Sequence, residues 1–113
     1  MDIRIRDRDQ VRILELDGRL SLGGGAAAVR EDVRQQLEDG HAMLLLDMSQ
    51  VDAIDSTGLG VLVSCLTSVR NRGGDLRLLQ PTPRVVDVLV ITQADLLFEI
   101  FDNEDLAVQS FSS

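Results

Sequence analysis

The chain reads as an α/β protein, a single domain spanning residues 1–113 with one mixed β-sheet of about five strands and about four packed helices. Three observations predict this. Segments with a two-residue apolar period alternate with segments of helical period, in the order strand, strand, helix, strand, helix, strand, helix, strand, helix. The run Met43-Leu44-Leu45-Leu46 is continuously apolar, as suits a central strand covered on both faces. With 113 residues, 44% of them apolar and 27% charged, the chain is long enough for one core and too short for two.

At the N-terminus, Ile3 and Ile5 alternate with Arg4 and Arg6. Asp7-Arg8-Asp9-Gln10 then separates them from Val11-Arg12-Ile13-Leu14-Glu15-Leu16, which predicts an antiparallel hairpin with a polar turn. Gly23-Gly24-Gly25 leads into a helix over 26–39, where Val29, Val33 and Leu37 recur on one face. Gly40 stands where a left-handed residue ends such a helix. After the strand at 43–46, Leu59, Leu62, Val63, Leu66 and Val69 form a second helical stripe, closed by arginines and by Gly73-Gly74. Leu76-Arg77-Leu78-Leu79 is the next strand. Thr82-Pro83 has the form of an N-cap followed by proline at the first helical position, with Val85, Val86 and Leu89 facing inward. Phe98-Glu99-Ile100-Phe101 reads as a last strand, and Asp102 or Asn103 as the cap of a short helix over Leu106 and Val108. Connections of this order imply right-handed crossovers.

Charge and composition exclude several functions. The net charge of −8 argues against nucleic-acid and anionic-membrane partners and for protein partners with a basic surface. There is no Trp or Tyr and there are three Phe, too few for a base-stacking platform. All eleven basic residues are Arg, so neither a phosphate-loop lysine nor a Schiff-base lysine exists. His41 and Cys65 are each unique, which leaves no His/Cys zinc set and no intramolecular disulfide. Cys65 falls in the apolar helix stripe and is expected in the core. Residues 1–9 hold no apolar signal core and no run approaches the ~20 residues of a membrane span, so a cytoplasmic protein without membrane insertion is expected.

The segment with most to say is Asp55-Ser56-Thr57-Gly58-Leu59-Gly60, which follows an apolar strand and opens into the second helix. Its position puts hydroxyls at a helix start, where unpaired N–H groups and the helix dipole favour caps and phosphate oxygens. Asp55, Ser56 and Thr57 are all good capping types, and a cap alone, contributing about 1 kcal/mol, satisfies the local pattern. Gly58 and Gly60 are half of a dinucleotide fingerprint, and close approach by the preceding loop or by a partner explains them more simply. Gly23-Gly24-Gly25 is read as a strand-helix connection in preference to a phosphate cradle. Asp47, Asp52 and Asp55 lack the spacing of a metal loop and are expected as a solvated acidic loop. A hydrolase with Ser56 as nucleophile would have to recruit His41, and no G-x-S-x-G elbow is present. The expectation is a non-enzyme without cofactor or metal.

The run Leu44-Leu45-Leu46-Asp47 through Asp52, then Ile54-Asp55-Ser56-Thr57-Gly58-Leu59-Gly60, then Val69-Arg70-Asn71-Arg72-Gly73-Gly74-Asp75-Leu76-Arg77-Leu78, resembles the STAS domain. More narrowly, it is similar to the stand-alone bacterial anti-sigma factor antagonists, and with Ile91-Thr92 and Phe98-Glu99-Ile100-Phe101 the likeness covers nearly the whole chain. The resemblance implies a protein switch that binds an anti-sigma factor, itself a serine kinase, and so releases a sigma factor. It implies phosphorylation at Ser56, with Thr57 the second choice, reversal by a PP2C-type phosphatase, and a partner surface over residues 55–60. A monomer is expected when free. One element departs from the family: many phosphorylated antagonists carry Gly-Glu-Leu-Asp after the second strand, whereas here the residues are Gly18-Arg19-Leu20-Ser21. The alternative role within the family is a non-phosphorylated scaffold, or a subunit of a signalling assembly or lipid transporter.

Overall fold

The computed structural model describes residues 1–112. Strand β1 (Asp2–Arg8) pairs antiparallel with β2 (Val11–Leu20) through a turn at Asp9 and Gln10, both with positive φ, the backbone of a tight hairpin whose twist matches its strands. Helix α1 (Ala26–Glu38), strand β3 (Met43–Ile54), helix α2 (Ser56–Asn71), strand β4 (Asp75–Leu79), helix α3 (Pro83–Ile91), a single 3-10 turn (Ala94–Leu96), strand β5 (Ile100–Phe101) and helix α4 (Glu104–Ser110) follow. The five strands lie side by side in sequence order, with every pair after the hairpin parallel. The expected mixed sheet of five strands and four helices is therefore the observed one.

Alternation along the strands divides the core in two. Leu14, Leu16, Leu44, Leu46, Leu76 and Leu78 point to the face covered by α1, α2 and α3, where Val29, Val33, Leu62, Leu66, Val85 and Leu89 meet them. Val11, Ile13, Leu45 and Leu79 point the other way and are covered by Ala107 and Val108 of α4, with Phe101 and Phe111 at the margin. Burial on both faces explains why 43–46 lacks alternation: β3 is the central strand. Cys65 lies in the larger core as expected.

Helix ends follow the sequence signals. Gly40, at φ +88°, donates to the Leu37 carbonyl while His41 N–H donates to Gln36, a Schellman ending for α1. Thr82 caps α3 by accepting from Val85 N–H, and its hydroxyl donates to the Val51 carbonyl of β3. Asn103, one of the two residues anticipated, caps α4 by accepting from Leu106 N–H at 3.0 Å. That helix is tied to the edge strand by Arg6, which bonds both Glu15 and Glu104, and by Arg8, which reaches Glu104 at 2.6 Å and Asp105 at 2.8 Å.

Three expectations need correction. Strand β2 runs on to Leu20 and β3 to Ile54, so Asp47 and Asp52 stand on a strand and do not form an acidic loop. Two register shifts between β2 and β3 keep the long pair matched; Asp47 Oδ1 accepts from Ser49 N–H beside the first of them. The last strand is only Ile100–Phe101, since Phe98 turns into the main core before pairing begins. Val86, expected to be buried with Val85 and Leu89, is half-buried.

Candidate functional site

The two longest parallel strands end together. Leu20 of β2 is in register with Ile54 of β3, and Asp55 N–H donates to the Leu20 carbonyl. The chain then turns directly into α2, so the start of that helix sits at the carboxyl edge of the sheet, where open α/β sheets gather functional groups. Asp55 is the N-cap. Its Oδ1 accepts from Gly58 N–H at 2.8 Å, and its Oδ2 accepts from Leu22 N–H at 3.0 Å, in the connection between β2 and α1. These backbone donors, Gly58 first and Leu22 second, hold the Asp55 carboxyl below the usual carboxylate range.

One carboxylate thus ties the first turn of α2 to the connection between β2 and α1. Gly58 is buried in that turn: a Cβ there would collide with the Leu20 carbonyl oxygen and stand 2.7 Å from its carbon. Close approach by the preceding strand is the reason for this glycine, whereas a Cβ on Gly60 would meet nothing within 4 Å. The two glycines of the motif have unlike roles.

Ser56, the first helical residue, is exposed, as is Thr57. Among the described residues neither hydroxyl makes a side-chain hydrogen bond, since the cap is supplied by Asp55. A free hydroxyl at a helix start, with its local backbone already organised, is an accessible acceptor for a transferred phosphoryl group. Leu59 is half-buried against the main core and anchors the first turn. The sequence motif 55–60 is therefore brought together as one surface element, with Gly58 beneath it.

The other candidates are placed elsewhere. The amides of Gly24, Gly25 and Ala26 donate to the carbonyls of Ser21 and Arg19, so the triple glycine has no row of open N–H groups with which to cradle a phosphate. His41 precedes β3 and Ser56 follows it, which sets them at opposite ends of a 12-residue strand. No proton can pass directly between them. Among the described residues, no group of three or more His, Cys, Asp or Glu is placed to hold a metal ion, and no helix is long and apolar enough to cross a membrane.

Two residues at the site were not legible in the sequence. Leu22, 77% exposed, is held in place by the hydrogen bond its N–H donates to the Asp55 carboxylate, and Arg30 of α1 shares with Thr57 the wall of a groove of about 350 Å³. An apolar residue in a glycine-rich connection was the only available hint of the first. Arg30 is an exposed residue of α1 one turn beyond the buried Ala26, and only the packing of α2 beside that helix marks it.

Comparison with known proteins places this geometry. The sequence model of the STAS domain matches residues 2–107. A candidate anti-sigma factor antagonist of Thermotoga neapolitana is 41% identical over 73 residues, a stretch spanning 65% of this chain and 65% of that relative. The anti-sigma-B factor antagonist of Listeria monocytogenes is 32% identical over 104 residues, covering 88% of this chain and 86% of the relative. The crystal structure of a candidate anti-sigma factor antagonist from Thermotoga maritima superposes with a TM-score of 0.91 at 29% identity, covering 98% of this chain and 95% of that one.

Proposed function

The chain belongs to the STAS domain family, among the anti-sigma factor antagonists, and on that premise we propose that it is a partner-switching protein. It binds an anti-sigma factor that is also a serine kinase, frees a sigma factor by doing so, and is released when the kinase phosphorylates Ser56. A PP2C-type phosphatase restores the binding form. The partner surface is the α2 start, Asp55, Ser56, Thr57, Gly58, Leu59 and Gly60, with the neighbouring loop at Leu22.

The observation that carries this reading is the division of labour between Asp55 and Ser56. Asp55 supplies the side-chain cap of the helix, leaving the Ser56 hydroxyl exposed and without a structural bond. Phosphorylation therefore breaks no bond of the fold. It adds about −1.5 to −2 charge at a helix N-terminus, where the dipole accommodates it, while changing the surface a partner must desolvate. Such a modification alters binding and leaves the domain intact, which is what a reversible switch requires.

The test is phosphotransfer. Incubation with the anti-sigma kinase and Mg-ATP is expected to add one phosphate, mapped to Ser56 by peptide mass spectrometry, and Ser56→Ala is expected to abolish it while still binding the kinase. Tight binding with no phosphate on either Ser56 or Thr57 overturns the switch and favours a non-phosphorylated scaffold.

A further inference from the structure

The site also bears on the chemistry of the partner it receives, and here the arginines are informative. Six of the eleven, Arg6, Arg8, Arg12, Arg34, Arg70 and Arg77, are in ion pairs, and Arg72 donates to the Leu37 carbonyl. In a chain with nineteen acidic residues an exposed guanidinium finds a carboxylate easily. Four do not: among the described residues Arg4, Arg84, Arg19 and Arg30 have no side-chain hydrogen bond or ion pair, and the last two concern the site.

Both flank the start of α2. Arg30 lines the groove of about 350 Å³ whose walls include Leu22, Gly24, Ala27, Thr57 and Val61. Arg19 lies beside the same loop, with its Cβ 3.4 Å from the position a Cβ on Gly24 would take. Asp52, exposed on β3 across from Arg19, makes no ion pair with it, and two further acids are engaged elsewhere. Asp55 accepts from the amides of Gly58 and Leu22, and Glu31 pairs with Arg34. The buried apolar lining of the groove is Ala26 and Val61, and Leu22 stands exposed beside them.

We infer that this face receives an acidic segment of the anti-sigma partner, with an apolar side chain seated in the groove beside Leu22 and carboxylates meeting Arg30 and Arg19. The inference rests on the antagonist reading and sharpens it. Net charge alone calls for a basic partner, but Arg19 and Arg30 put unpaired positive charge beside the docking point. Bidentate guanidinium-carboxylate pairs also give register, which a small groove cannot supply alone. An acidic partner segment accounts for the switch as well, because a phosphate on Ser56 sets like charge against it.

The chain has no lysine, so R30K and R19K each introduce a single side-chain amine with the positive charge kept. In the complex with the anti-sigma kinase, a zero-length carbodiimide, which joins amines only to carboxylates in contact, is expected to link both variants to Asp or Glu of the kinase, read by peptide mapping. R30E is expected to weaken binding roughly tenfold. A complex that forms normally yet gives no R30K conjugate, or tighter binding by R30E, overturns the inference and leaves the antagonist reading standing. Failure of the unsubstituted chain to bind any anti-sigma factor overturns both.

Discussion

Gly58 lies directly against the carbonyl of Leu20, so that the first turn of α2 touches the last residue of β2 with no room for a methyl group between them. The same carbonyl accepts from Asp55 N–H. Helix start, strand end and candidate phosphorylation site are therefore one rigid unit, and its tolerance to change is position-specific.

Gly58→Ala is expected to destabilise the fold by about 3 kcal/mol, because the obstruction is backbone and cannot rotate away. Gly60→Ala, two residues on, fills open space in a helix and is expected to be neutral or to stabilise by about 0.5–1 kcal/mol. Urea unfolding of the two variants, monitored by circular dichroism, checks the contrast; equal effects would mean that α2 does not approach β2 this closely.

The clamp between β1 and α4 sets an acid limb of stability. The hydrogen bond from Arg6, opposed by burial and reinforced by the weaker bond from Arg8, pulls the Glu104 carboxyl down to about 2 from an ordinary value of 4.5. A carboxyl with a depressed folded pKa contributes stability that is fully present above pH 4.5 and lost as pH falls from there towards 2. After allowance for solvent screening of a side chain 27% exposed, the contribution is on the order of 1 to 2 kcal/mol. Glu104→Gln is expected to be less stable than the parent at pH 7 and to converge with it near pH 2. Urea midpoints across that range, with a gap that stayed constant, would exclude the clamp as its source.

Cys65 gives a probe of the α1–α2 packing. Burial pushes its thiol up to about 11, so little thiolate exists at pH 8, and the sulfur lies in the main core. Reaction with a disulfide reagent at pH 8 is expected to be slow in the folded protein and to follow the unfolding rate. Labelling as fast as that of a free thiol would show that the two helices part readily.

Most of the architecture was legible because its signals are local. Gly40 and the Thr82-Pro83 pair mark helix ends by backbone chemistry that holds wherever the helix is placed, and Leu44-Leu45-Leu46 declares two-sided burial by lacking alternation. Strand lengths were less legible. The extensions to Leu20 and Ile54 depend on β2 and β3 pairing with each other across two register shifts, a non-local fact that the polar residues Asp47, Ser49 and Asp52 conceal. At the site, the residues 55–60 could be read from their order, but Leu22 and Arg30 come from other segments and join it only through packing.

Ser56→Glu separates folding from binding, which is the property the proposed switch depends on. A carboxylate at the first position of α2 meets the positive end of the helix dipole and is expected to leave stability unchanged or raise it by about 0.3–1 kcal/mol. Nothing in the fold has to be broken, since the Ser56 hydroxyl bonds no described neighbour. On the partner side the same charge opposes the acidic segment proposed to meet Arg30, so Kd for the anti-sigma kinase is expected to rise roughly tenfold. Ser56→Ala, which removes the phosphoacceptor without adding charge, is expected to bind as the parent does. Thermal unfolding and calorimetric titration of the two variants read the two quantities independently. A loss of binding by Ser56→Glu accompanied by an equal loss of stability would mean that the serine is structural, and a Ser56→Glu that binds like Ser56→Ala would mean that charge at this position does not gate the complex.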